Sequence, residues 1–226
     1  MNAIPELTSR PRVAVLGAGR MGGALGALAA KSGHPVVFGS RSGAAGAEAA
    51  RAAGHGARAG SYGEAARDAD LVILATRWEQ ALPALFAAGS LQGRVVLDAT
   101  NPSAPDGFTL LIGHTTSGAE EIARAFPAAR VVKAFNHVYA EVIDARPTFG
   151  GAPATVFYCG DHAPANEIAA RFIRATGFDG VFAGPLRMAR TLEPAAKLIV
   201  ELVEGQGWAP NAVTVGFLRA DASVSR

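Results

Sequence analysis

A doubly wound α/β fold, built on a parallel sheet and closed by a short C-terminal helical extension, is predicted by three observations. Short β-branched runs alternate with Ala-rich helical stretches along most of the chain. Runs such as Val72-Ile-Leu74 are apolar at consecutive positions, as strands covered by helices on both faces must be. Finally, 49 Ala and 27 Gly make up a third of the 226 residues, a composition that lets helices approach the sheet closely.

The elements follow in order: strand Val13–Leu16 and helix Met21–Lys31, strand Val36–Phe38 and helix Ala44–Ala53, strand Leu71–Leu74 and helix Glu79–Ala88, then strand Val95–Leu97. Asn101–Thr116 is polar, Gly/Pro-rich and without period, and a loop of that length in a compact domain is more often functional than idle. Ser117-Gly-Ala-Glu120 has capping-box spacing before a helix at Ala119–Ala125, and strand Val131–Lys133 follows. Strand Thr155–Tyr158, a helix near Ala165–Thr176 entered past Asp161 or His162, strand Gly180–Phe182 and a long helix over Leu186–Glu204 complete the pattern. The tail Trp208–Leu218 reads as extended, and Met1–Arg12 as a loose leader without a signal peptide's apolar core.

Composition excludes several classes of function. No stretch approaches the roughly 20 apolar residues of a membrane span. The net charge is +2, and the 18 Arg and 3 Lys are scattered without a basic stripe, so neither nucleic acid nor a membrane is an expected partner. The single cysteine, Cys159, cannot form an internal disulfide, and no Cys/His spacing suggests zinc. A reducing, cytoplasmic location and the absence of a metal site are the expectations.

The chemistry-bearing motif is Gly17-Ala18-Gly19-Arg20-Met21-Gly22, a G-x-G-x-x-G string. It lies between a strand and an Ala/Leu helix, where a dinucleotide pyrophosphate meets backbone N–H groups at a helix N-terminus. Gly17 serves the tight turn, Gly19 the approach of the pyrophosphate and Gly22 the contact between helix and strand. Gly54-His-Gly56-Ala-Arg-Ala59 fits a looser pattern but follows a helix and is discarded. At the end of the second strand the chain reads Phe38-Gly39-Ser40-Arg41, with no carboxylate for the ribose hydroxyls. A hydroxyl beside a permanently charged, planar guanidinium suits a 2′-phosphate, so NADP(H) is preferred over NAD(H); the alternative is an ordinary solvated turn.

No Tyr-x-x-x-Lys and no G-x-S-x-G is present. Thr76-Arg77-Trp78, Asn101-Pro102 and Lys133-Ala-Phe-Asn136-His137 remain at strand C-termini, where they would surround the nicotinamide. The alternatives are a plain turn for Asn101-Pro102, a snorkelling side chain for Lys133 and a core lid for Trp78.

With Gly-Ser-Arg at 39–41, Thr-Thr-Ser-Gly-Ala-Glu at 115–120, Val-Lys-Ala-Phe-Asn at 132–136 and Ala-Gly-Pro-Leu at 183–186, the chain from Arg12 to about Leu218 resembles the NADPH-dependent F420 reductases (F420:NADP oxidoreductases). It is similar, too, to the cytoplasmic domain of the STEAP metalloreductases. The resemblance implies a Rossmann-like NADP-binding domain over 12–184, and a helix and tail over 185–226 that supply the acceptor pocket and a dimer contact. It implies hydride transfer between NADP(H) and coenzyme F420 or a flavin without a dedicated catalytic acid or base. The pyrophosphate would lie on Ala18–Gly22 and the 2′-phosphate on Ser40 and Arg41, with Ala75, Thr76, Asn101, Pro102, Asn136 and Val138 along the rest of the cofactor. Arg77, where relatives commonly carry Pro, and His137, where they carry Thr, are departures on the acceptor side. A homodimer is expected through the last helix, whose Leu192, Leu198, Ile199, Leu202 and Val203 offer apolar surface. The competing readings are reduction of a small imine or carbonyl compound, and a non-catalytic NADP-binding sensor.

Overall fold

The computed structural model describes residues 10–107, 109–145 and 148–216, so most of the leader and the last residues of the expected tail lie outside the described part. Eight strands form one sheet in the order β3-β2-β1-β4-β5-β6-β7-β8. In sequence these are β1 (Val13–Leu16), β2 (Val36–Gly39), β3 (Arg58–Gly60), β4 (Leu71–Leu74), β5 (Val95–Asp98), β6 (Arg130–Ala134), β7 (Thr155–Gly160) and β8 (Asp179–Gly184). The helices are α1 (Arg20–Lys31), α2 (Gly43–Ala53), α3 (Tyr62–Ala66), α4 (Ala81–Ala88), α5 (Gly118–Ala125), α6 (Ala140–Ala145), α7 (Ala163–Ala175) and α8 (Ala189–Gln206).

The central strands are buried on both faces, which is why their sequences are continuous apolar runs. Alternate residues feed two cores. Val13, Val15, Ile73 and Leu97 face the side packed by Leu25 and Leu28 of α1 and Phe172 and Ile173 of α7. Ala14, Leu16, Leu74 and Val96 face the side packed by Leu85 of α4, Ile122 of α5 and Leu192 of α8. Small residues set the spacing: a Cβ on Gly26 of α1 would collide with the Phe38 ring of β2.

The sheet departs from the expectation in one pairing. β6 and β7 run antiparallel, Val132 opposite Gly160 and Ala134 opposite Tyr158. Among the described residues between them the one helix is the six-residue α6, which packs beside α1, and an antiparallel neighbour needs no helical crossover. Three elements were not expected: β3, a three-residue edge strand, and the short helices α3 and α6. α3 begins with a capping box in which the Ser61 and Glu64 side chains each bond the other's backbone N–H.

The C-terminal segment differs in detail. Leu186–Met188 is a 3-10 turn before α8, and the tail expected to be extended includes another at Pro210–Ala212. On α8, Leu192, Ile199 and Val203 turn inward, whereas Leu198 and Leu202 are 60% and 45% exposed. The five leucine, isoleucine and valine residues thus divide between this chain's core and its surface. No helix among the described residues is long and apolar enough to cross a membrane.

Candidate functional site

The β1–α1 junction forms the floor of a cleft of about 950 Å3. Gly17 has a φ of +113°, and a Cβ there would lie 2.6 Å from the Ala75 carbonyl oxygen, so a tight turn and a close approach to β4 both require glycine. A Cβ on Gly22 would run into the Gly17 carbonyl. Gly19 is different: a Cβ there would meet nothing of the chain within 4 Å, so internal packing does not demand glycine. Gly19 is also the N-cap of α1 and offers no side-chain cap, leaving the first N–H groups of a twelve-residue helix without a side-chain acceptor. An anion lying against these groups would account for both facts.

Gly17, Ala18, Gly19, Arg20, Met21, Ser40, Arg41, Ala75 and Thr76 all line this cleft, whereas Gly22 lies beneath it as a packing residue. At the end of β2, Ser40 Oγ donates to the Ser42 carbonyl at 2.6 Å and Arg41 Nη1 donates to Gln80 Oε1 at 3.1 Å. Gln80, like Tyr62 on the same cleft, carries no motif signal; each comes from a different element and is brought here by the sheet order. Arg20 reaches away from the glycines to pair with Glu141 of α6.

Past β5 and β6 the floor is an interlocked pair of amides. Asn101 Nδ2 donates to the Asn136 carbonyl at 2.7 Å, and Asn136 Nδ2 donates to Asn101 Oδ1 and to the Leu192 carbonyl of α8, both at 3.0 Å. Phe135, immediately before, is a fully buried aromatic held at φ +63°, a left-handed conformation that a bulky residue adopts only when its surroundings enforce it. Asn136 Oδ1, Thr76 Oγ1, His137 Nδ1 and the Tyr139 hydroxyl are buried and have no hydrogen-bond partner among the described residues, a concentration of orphan polar atoms that is costly without a ligand or water.

Two smaller cavities adjoin this floor. One, of about 320 Å3, lies between Met21, Asn136–Tyr139 and the Ile199–Glu204 stretch of α8. The other, of about 440 Å3, lies between Thr76–Glu79 and Asn101–Gly107, so the patternless loop does form a wall. Val138 lines the first; Pro102 is buried and lines neither. Trp78 packs on the core and also lines the second cavity.

Lys133 neither snorkels nor reaches any of these cavities. Its side chain is completely buried, its ammonium 2.9 Å from Asp98 Oδ2, 2.6 Å from the Thr100 carbonyl and 2.8 Å from Glu193 Oε1. Burial alone would push that ammonium down, but the two carboxylates outweigh it and hold its pKa above the ordinary lysine value.

His137 Nε2 sits 3.2 Å from the Thr155 carbonyl, with its ring stacked on Phe157, and burial pushes its pKa down to about 4. Burial, with a smaller effect of Glu204, raises that of Tyr139. Both are therefore neutral near pH 7. Burial likewise pushes the Cys159 thiol up to about 12, which removes it as a nucleophile. Among the described residues no group of three or more His, Cys, Asp and Glu is placed to hold a metal ion.

A family described as NADP oxidoreductase, coenzyme F420-dependent, matches residues 12–102. A solved structure from Arthrobacter sp. FB24, described as an F420-dependent NADP reductase, is 30% identical, superposes with a TM-score of 0.80 and covers 88% of this chain and 96% of its own. A protein of Sinorhizobium meliloti without a stated function is 28% identical, with a TM-score of 0.72 over 80% of this chain and 89% of its own. The metalloreductase STEAP3 of Rattus norvegicus is 32% identical over 186 residues, 81% of this chain, and the chain spans only 36% of that relative's length. Reductive aminase of Aspergillus terreus, solved with NADPH, shares the fold at 20% identity and a TM-score of 0.62, over 88% of this chain and 62% of its own.

Proposed function

This chain belongs to the coenzyme F420-dependent NADP oxidoreductase family, a family of NADP-dependent oxidoreductases, and we propose that it passes a hydride between NADP(H) and a planar tricyclic acceptor, a deazaflavin such as coenzyme F420 first and a flavin second. The observation that carries this reading is the division of the site. One end has the glycine turn, the uncapped helix and the Ser40–Arg41 pair. The other end has the Asn101–Asn136 amide pair with neutral His137 and Tyr139 beside it.

When bound, NADPH supplies the hydride from its dihydropyridine ring. The chain's own part is to hold the pyrophosphate on the α1 N–H groups, to mark the 2′-phosphate with Arg41 and to fix the reacting ring beside the amide pair. A tricyclic acceptor spreads the arriving charge and exchanges its proton with solvent, so positioning carries most of the rate acceleration. The test is oxidation of NADPH by the purified protein with deazaflavin, FMN, FAD or no acceptor. Deuterium from 4-deuterated NADPH is expected on the deazaflavin or flavin in a single turnover; its absence from both would refute the reading.

Reduction of a small carbonyl or imine is the second reading, and one observation favours it. The Tyr139 hydroxyl is an unpartnered phenol among the residues of the smaller cavity, where a proton donor to a nascent oxyanion or amine would be needed. Turnover of such a compound that collapses in Tyr139→Phe while deazaflavin stays inert would select it.

His137 fixes one expectation about pH. A group with a pKa near 4 is already neutral at pH 5.5, so on the hydride-shuttle reading turnover is expected to show no inflection from His137 between about pH 5.5 and 8, and His137→Ala to change it less than about tenfold. Its depressed pKa also means that the unfolded chain takes up the proton first. The group therefore erodes stability as pH falls from about 6.5 toward 4, and contributes no such loss above that window.

A further inference from the structure

The Lys133 cluster is buried out of reach of any ligand, yet each of its bonds ends next to a residue of the reacting end. Lys133 Nζ is bound to the Thr100 carbonyl, and the Asp98 carboxylate accepts from the Thr100 N–H at 2.9 Å and from its hydroxyl at 2.6 Å. Those three bonds fix the turn that presents Asn101. Glu193 sits next to Leu192, whose carbonyl receives Asn136 Nδ2, and its carboxylate bridges Lys133 to the first N–H groups of α5, those of Gly118 at 2.8 Å and Ala119 at 3.1 Å. Asn136 itself is three residues beyond Lys133 on the same strand end. Two routes, through Thr100–Asn101 and through Glu193–Leu192, thus converge on one amide and occupy both protons of its Nδ2, leaving Oδ1 unpartnered. The same three side chains also hold residues 101–117 at both ends, at Thr100 and at Gly118.

We propose that Lys133, Asp98 and Glu193 form a positioning device for the nicotinamide end of the site: they set the orientation of Asn136 and the span of the 101–117 loop. The cluster governs how the reacting ring is held, while nucleotide affinity resides at the Gly17–Gly22 and Ser40–Arg41 end. This inference rests on the NADP(H) reading above. The charges give a practical handle. One ammonium faces two carboxylates, so Glu193→Gln leaves a balanced Lys133–Asp98 pair; it also turns one of the two accepting oxygens into an NH2 donor, and with the other oxygen kept on Lys133 and Ala119 the bond lost is the one from the Gly118 N–H.

The experiment is NADPH binding followed through the nicotinamide fluorescence of the bound nucleotide, for wild type, Glu193→Gln, Asn136→Ala and the double variant. The expected result is a dissociation constant within about threefold of wild type in Glu193→Gln, with most of the fluorescence change on binding lost. The double variant is expected to be no worse than Asn136→Ala, because residues acting through one contact are not additive. Amide exchange of the ligand-free protein should quicken at Gly118 and Ala119 at the same time. Thr100→Val removes only the 2.6 Å hydroxyl bond to Asp98, leaves both ion pairs in place and should move the fluorescence in the same direction, so it decides the matter if Glu193→Gln does not fold. Wild-type-like fluorescence in the folded variants, or full additivity in the double variant, would overturn the positioning role alone. A wild-type protein that does not bind NADPH would overturn the NADP(H) reading and this inference with it.

Discussion

Lys133→Met is expected to lower the free energy of unfolding by about 3–5 kcal/mol, the range for breaking a buried ion pair by removing one partner. Lys133, Asp98 and Glu193 have no exposed side-chain surface, so neither water nor a mobile counterion can replace the ammonium. Methionine fills nearly the same volume, which excludes a cavity as the cause and leaves electrostatics. After the change Asp98 retains the Thr100 N–H and hydroxyl, and Glu193 the Gly118 and Ala119 N–H groups, so each carboxylate keeps donors but loses its cation. Against a total stability of about 5–15 kcal/mol for a domain, that loss puts the variant near the threshold of folding. Urea denaturation of both proteins measures it as a shift in midpoint at constant slope. A midpoint indistinguishable from wild type would mean that the ammonium contributes nothing net to the fold.

This cluster also marks where the sequence stops being legible. β1, β4 and β5 could be read because a strand buried on both faces has a local signature, and the glycine turn could be read because a strand, a turn and a helix are consecutive in the chain. β3 could not, since Arg58-Ala-Gly60 is an edge strand with exposed side chains and no apolar run. The reversed direction of β7 leaves no mark in its composition, because direction follows from how the 135–154 connection travels and Thr155–Gly160 is apolar either way. At the site, Gly17–Met21, Ser40, Arg41 and Thr76 line one cleft. Lys133 was read as a residue beside the nicotinamide or a snorkelling one and is neither, because its partners lie 35 residues back at Asp98 and 60 residues ahead at Glu193. Tyr139 and Glu204 carry no local signal for the same reason: a tyrosine in a loop and a glutamate late on a helix acquire meaning only when α8 and the residues after β6 line one cavity. Chemistry that is local in the chain is legible in the sequence, whereas the end of the site beside the Asn101–Asn136 pair is assembled from distant segments.

Arg41→Ala is expected to weaken NADPH binding roughly 10- to 150-fold, or about 1.5–3 kcal/mol, and to leave NADH binding nearly unchanged. The chain from Phe38 to Ser42 has no carboxylate to take the ribose hydroxyls, which is why NADH should already be the weaker ligand of the wild type. Arg41 is exposed at the end of β2, and its Nη1 is braced at 3.1 Å by Gln80, which directs the guanidinium along the cleft wall while leaving its other N–H groups to a ligand. Exposure sets the scale. A phosphate and a guanidinium at a solvated rim are screened by salt, so the effect should be nearer the upper bound at low ionic strength and shrink toward the lower one at about 0.5 M salt. Gln80→Ala should cost less than Arg41→Ala, since it removes only the brace. The measurement is a pair of binding titrations, NADPH and NADH, on wild type and both variants at two salt concentrations. The assignment of Arg41 to the 2′-phosphate fails if wild type binds the two nucleotides equally. It fails as well if Arg41→Ala weakens NADH as much as NADPH, because the residue would then be serving the part of the dinucleotide that both share.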